Sequence, residues 1–146
     1  MKPNVLVFLA ASALLAVASG EESNIQENKE LEGSWSATSV VRNTNELPAE
    51  KLKDLQIVFR GGRFALKQGD RALSEGTFRL DPVKAPRTID LATQGADGKE
   101  QTTLAIYELT DNVLRICGAQ PGGERPSEFA ALDGSGHTLT TFERVK

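Results

Sequence analysis

Gln56-Ile57-Val58-Phe59-Arg60-Gly61-Gly62-Arg63-Phe64-Ala65-Leu66-Lys67 is the stretch that decides the fold. Two apolar-rich runs flank a pair of glycines, and a tight two-residue hairpin turn needs positive φ at both linking positions. The segment predicts two antiparallel strands. The same grammar continues toward the C-terminus. Gln68-Gly69-Asp70-Arg71 is a turn, and Leu73 to Leu80 is a strand with Phe78 and Leu80 on one face. Asp81-Pro82 breaks that strand, and Pro86 keeps the connection irregular. Thr88-Ile89-Asp90-Leu91 alternates apolar with polar, which leaves one face wet. Ala96-Asp97-Gly98 turns the chain into Thr102 to Leu109, and Thr110-Asp111-Asn112 turns it into Val113 to Cys117. After an irregular loop from Ala119 to Pro126, Glu128-Phe129-Ala130 and Thr138 to Arg144 are expected to finish the sheet.

Toward the N-terminus, Leu47 to Leu55 is the one helical candidate, with Pro48 suited to its first turn and Leu52 and Leu55 on one face. A short helix there would close one end of a barrel. Ser34 to Val41 is the first strand. The sum is about eight or nine short strands at roughly 8- to 12-residue spacing, the pattern of an all-β sandwich or barrel. Long helices between strands, which parallel pairing requires, are missing. Closure is signalled at the ends. Leu31-Glu32-Gly33-Ser34-Trp35 opens the folded part with the only tryptophan, and Phe142-Glu143-Arg144 closes it with an arginine. An indole at the seam between first and last strands, covered by a guanidinium, suits a closed barrel. Gly33, Trp35 and Arg144 are therefore expected to be structural.

The first 20 residues read as a secretory signal. Lys2 is followed by an apolar run from Val5 to Val17 and by small residues at Ala16, Ala18, Ser19 and Gly20, with cleavage expected after Ala18 or Gly20. The run is shorter than the roughly 20 residues that span a bilayer. The mature chain is expected to be soluble and exported, periplasmic or extracellular. Residues 21–30, Glu-Glu-Ser-Asn-Ile-Gln-Glu-Asn-Lys-Glu, read as a disordered or loosely helical acidic leader that keeps the barrel clear of its surroundings. Residues 31–146 then form one domain of ordinary size.

Composition excludes several function classes. The formal charge is -3 and the basic residues are scattered, which argues against a nucleic-acid partner. The single cysteine, Cys117, cannot form an internal disulfide and sits in a strand-like apolar run as a small hydrophobe. The one histidine, His137, lies in Gly134-Ser135-Gly136-His137, a turn, so a Ser-His-Asp arrangement and the usual zinc spacing are both missing. Gly61-Gly62 and Pro121-Gly122-Gly123 lack the lysine and following helix of a phosphate loop. No catalytic residue, metal or cofactor is implied.

The Gly33-x-Trp35 opening with a late Arg144 resembles the lipocalin superfamily. More closely, the chain looks like a family of small exported, lipocalin-like domains abundant in planctomycete bacteria. The resemblance is carried by Leu31 to Trp35, Gly76-Thr77-Phe78-Arg79-Leu80-Asp81-Pro82, Ile89-Asp90-Leu91, Ile106-Tyr107-Glu108-Leu109, Leu114-Arg115-Ile116-Cys117 and Arg125-Pro126-Ser127-Glu128-Phe129. It implies a small antiparallel lipocalin-like β-barrel and an exported location, and it implies no chemistry. The chain is shorter than true lipocalins and lacks their disulfides and their second and third signatures.

An eight-stranded barrel is just wide enough to fill with side chains or to hold one small ligand. Tyr107 and Arg115 are polar groups on adjacent strands able to face inward, and Arg125 and Glu128 follow from the next loop and strand. Together they would orient an acidic or hydroxyl head. Alternatively, Tyr107 and Glu128 form ordinary cross-strand pairs and Arg115 lies outside. Three function classes follow. A non-catalytic barrel for a small apolar or amphipathic ligand ranks first and predicts a hollow centre. A cell-envelope interaction or structural module, using the loops Asp81 to Arg87 or Ala119 to Pro126, predicts a filled core. An enzyme ranks last and requires converging titratable groups.

Overall fold

The computed structural model describes residues 24–146, and the expected signal segment lies outside them. Helix α1 covers residues 24–31. It is followed by β1 (Gly33–Arg42), β2 (Asn45–Glu46), α2 (Ala49–Leu52), β3 (Leu55–Arg60), β4 (Arg63–Gln68) and β5 (Arg71–Asp81). β6 (Arg87–Gln94), β7 (Glu100–Thr110), β8 (Val113–Gly118) and β9 (Thr138–Arg144) complete the chain. All nine strands belong to one antiparallel sheet, and β1 pairs with both β3 and β9. The ring is thus closed by eight strands, with the two-residue β2 appended to β1 outside it. The all-β antiparallel barrel expected from the hairpins together with the Trp35 and Arg144 ends is the observed fold.

The turns obey their local chemistry. Gly61 and Gly62 have φ of +56° and +78°, and Arg60 pairs directly with Arg63 across them. Inside the ring, a single apolar cluster gathers Trp35, Ile57, Phe59, Phe64, Leu80, Ile89, Tyr107, Leu114 and Phe142. Phe59 and Phe78 meet edge to face with centroids 5.0 Å apart. Cys117 is buried as expected, but on the opposite face of the sheet from that cluster.

Three segments differ from expectation. Of the acidic leader, residues 21–23 lie outside the described residues. Residues 24–31 take the helical alternative, but as a helix laid across one end rather than clear of the barrel, with Leu31 fully buried in the core cluster. Burial of an apolar residue in the last turn, together with a partner for the buried Glu27, holds this short helix in place. Glu128-Phe129-Ala130 is not a strand. β8 already pairs with β7 on one edge and β9 on the other, so a closed ring offers no free edge. The chain from Ala119 to His137 instead runs over the outer wall, covering Ile106 and Cys117, and the Cys117 thiol donates to the Ala130 carbonyl at 3.4 Å. Finally, the helix expected over Leu47 to Leu55 is a single turn, and Leu55 already belongs to β3. None of α2's residues is buried.

Candidate functional site

The two ends of the barrel differ, and the difference follows from local sequence. At the α1 end, Trp35 is fully buried and its indole N–H donates to the Leu31 carbonyl at 2.8 Å. The Arg144 guanidinium lies 4.2 Å from the indole centroid and donates to the carbonyls of Glu32 and Glu30 at 3.0 and 2.6 Å. One residue from each end strand thereby ties the helix to the seam. Gly33 makes the junction possible: its φ is +118°, and a β-carbon there would sit 3.6 Å from an Arg144 guanidinium nitrogen. Gly33, Trp35 and Arg144, read from sequence as the seam, meet where β1 pairs with β9. Nearby, Glu27 accepts hydrogen bonds from the Tyr107 hydroxyl at 2.9 Å and from Arg87, whose guanidinium sits 5.1 Å from the Tyr107 ring centroid. Burial, reinforced by the Glu27 carboxylate, pushes the Tyr107 phenol well above its ordinary pKa, so the hydroxyl stays a donor. This end is shut.

The opposite end is open. A cavity of about 500 Å³ enters the barrel there. Leu55 and Ile57 of β3, Leu66 of β4, Leu73 of β5 and Leu91 of β6 make an aliphatic wall. Thr103 of β7, Gly118 of β8, and Thr138 and Thr140 of β9 make a wall with hydroxyls. Leu47, Gln120, Pro121 and Gly136 rim the mouth, and Leu73 there is 41% exposed. Arg42 is the one charged residue in the lining among the described residues.

Arg42 reaches the cavity side through a β-bulge. Trp35 and Ala37 belong to the core cluster, so strict alternation would send residues 39 and 41 inward next. The pairing of β1 with β9 shifts register between Ala37 and Ser39, and Val40 and Arg42 line the cavity instead. A bulge re-aims every later side chain on its strand. The sequence carries one sign of this: Val40-Val41 places two apolar residues in succession, interrupting the alternation.

None of the four residues read from sequence as ligand contacts lines this cavity. Tyr107 faces inward but at the shut end, engaged with Glu27. Arg115 lies on the outer wall, where it pairs with Glu108 at 3.4 Å and covers the Phe129 ring at 4.8 Å from its centroid. Arg125 belongs to the outer loop and donates to Asp90 and to the Ala105 carbonyl, both at 2.7 Å. Glu128 is exposed on the same loop. The structure does not bring the four together. The hydroxyl and apolar residues that do line the cavity carry no signal of it in the sequence, where Thr103, Thr138 and Thr140 are ordinary strand residues.

No helix among the described residues is long and apolar enough to cross a membrane. Comparison with protein-family models, with curated proteins and with solved structures gave no match for this chain.

Proposed function

We propose that the protein is an exported, non-catalytic container whose barrel holds one small apolar or amphipathic molecule. The observation that carries this reading is the cavity of about 500 Å³ at the open end, walled chiefly by leucine, isoleucine and threonine. Its size falls within the roughly 300–1,000 Å³ of ordinary small-molecule sites, which are concave and mostly apolar. The shut end adds support, because a cup needs a floor, and α1 with Trp35, Tyr107 and Leu31 supplies one. An interaction module without a ligand would have no use for an apolar recess of this size at one end of the barrel. The large apolar side chains on the outer loops, Val83 and Leu132, are single exposed residues, which are ordinary on protein surfaces. The export half of the proposal rests on the apolar run Val5 to Val17 and its small-residue flank.

Thr140 provides the test. It is half-buried in the cavity wall and pairs with Val40 on one side and Ile116 on the other. A phenyl ring in its place fills the space. The neutral dye Nile red is expected to brighten and shift to the blue with the natural protein, and Thr140→Phe is expected to weaken that binding about tenfold or more, the loss of at least ~1.4 kcal/mol of contact. Equal brightening by the variant, at an unchanged melting temperature, would place the dye elsewhere and remove the container reading.

A further inference from the structure

We propose that the cavity takes a single-chain amphiphile with an anionic head, a long-chain carboxylate in the simplest case, whose charge meets Arg42 at the mouth while its tail enters along the leucine wall. This rests on the container reading and names the ligand class for it.

Arg42 is the only charge among the described residues of the lining, and it is placed there by the bulge in β1. It enters none of the three ion pairs found among the described residues. The nearest acidic residue along the chain, Glu46, does not answer it. Glu46 pairs in register with Val41, on the opposite face of the sheet from Arg42, and its carboxylate accepts from the Ser39 hydroxyl at 3.0 Å. The cross-strand neighbours of Arg42 are Asn45 and Thr138, both uncharged. Arg42 is exposed and its guanidinium has no acceptor among the described residues; beside an apolar cavity such a group is matched to a carboxylate, which accepts two parallel hydrogen bonds from it.

The rest of the chain makes the choice of head group selective. With a formal charge of -3, the protein as a whole repels anions, so an anion retained at the mouth owes its place to the local cation. Thr138, opposite Arg42 in register and in the lining, adds a hydroxyl donor at the same level. Deeper, the lining carries no charge among the described residues, so the head group has one place to go and the tail the other. The ligand therefore has a defined orientation, head out and tail in.

Calorimetric titration with dodecanoate and 1-dodecanol, below their aggregation limits, tests this. At about pH 8 the carboxylic acid is ionised and the two probes differ only in the charged head. The natural protein is expected to prefer dodecanoate by roughly three- to tenfold, the range for a solvent-accessible charge-assisted pair, with the preference falling as salt is raised. Arg42→Gln is expected to bind both probes alike, and Arg42→Lys to keep part of the preference. Two results overturn the assignment while leaving the container intact: equal binding of acid and alcohol by the natural protein, or an undiminished preference in Arg42→Gln. Failure to bind either chain overturns both readings together.

Discussion

Trp35→Ala is expected to lower the stability of the domain by about 3 to 5 kcal/mol, the usual cost of emptying a buried tryptophan site. The indole is fully enclosed, so little of the space is recovered by relaxation. Two further losses follow from the geometry. The Leu31 carbonyl loses its indole donor inside the core, and Arg144, 4.2 Å from the ring centroid, loses the aromatic face under its charge. The second is worth about 0.5 to 2 kcal/mol by itself. Set against the roughly 5 to 15 kcal/mol that holds an ordinary domain folded, this is a large share, and the melting temperature should fall by more than about 10 °C. Because α1 is tied to the seam through these same residues, protease cleavage between residues 24 and 31 should accelerate in parallel. A melting curve matching that of the natural protein would show that the seam does not depend on the indole.

Gly76→Ala should be nearly as damaging, for a different reason. Gly76 lies in the middle of β5, opposite Thr93 of β6 and Phe64 of β4. A β-carbon at this position would sit 1.9 Å from the Ala92 carbonyl oxygen and 2.9 Å from its carbon. Both are backbone atoms of the paired strand, so no side-chain rotation relieves the overlap. Glycine within a strand marks such a close approach, where a curving sheet brings two backbones together. Overpacking usually costs about 1 to 3 kcal/mol, and a backbone clash belongs at the upper end or beyond. Thermal unfolding of Gly76→Ala checks this, with Gly76→Val expected to be worse still. A Gly76→Ala protein as stable as the natural one would mean that β5 and β6 do not approach as closely as this.

The hairpins and the closure were legible in the sequence because their causes are local or lie at recognisable ends. Gly61-Gly62 has only one common use between two apolar runs, and Trp35 with Arg144 marks a junction of termini. What could not be read has non-local causes. Glu27 sits in an acid-rich run that reads as solvated, yet it is buried because Arg87 and Tyr107, 60 and 80 residues away, provide its partners. Glu128 to Ala130 carries a strand-like composition, and only the knowledge that β8 has both edges occupied tells that no strand can form there. The cavity was misassigned for a similar reason. Arg42 follows Trp35 by an odd number of residues, which alternation places outside, and a single bulge reverses that side for the rest of β1. Tyr107, Arg115, Arg125 and Glu128 have the chemistry of ligand contacts, but each is engaged by the protein itself or set on the outer wall.

Whether the barrel is a cup entered from one end is decided by methyl-resolved NMR during titration with 1-dodecanol. Saturable shifts are expected at the methyls of Leu55, Ile57, Leu66, Leu91 and Ile116, which line the cavity, with Leu31 and Leu114 at the shut end and Ile106 under the outer loop left in place. Shifts confined to outer-wall methyls, or no saturable shift in the cavity methyls up to the solubility of the alcohol, would contradict the cup.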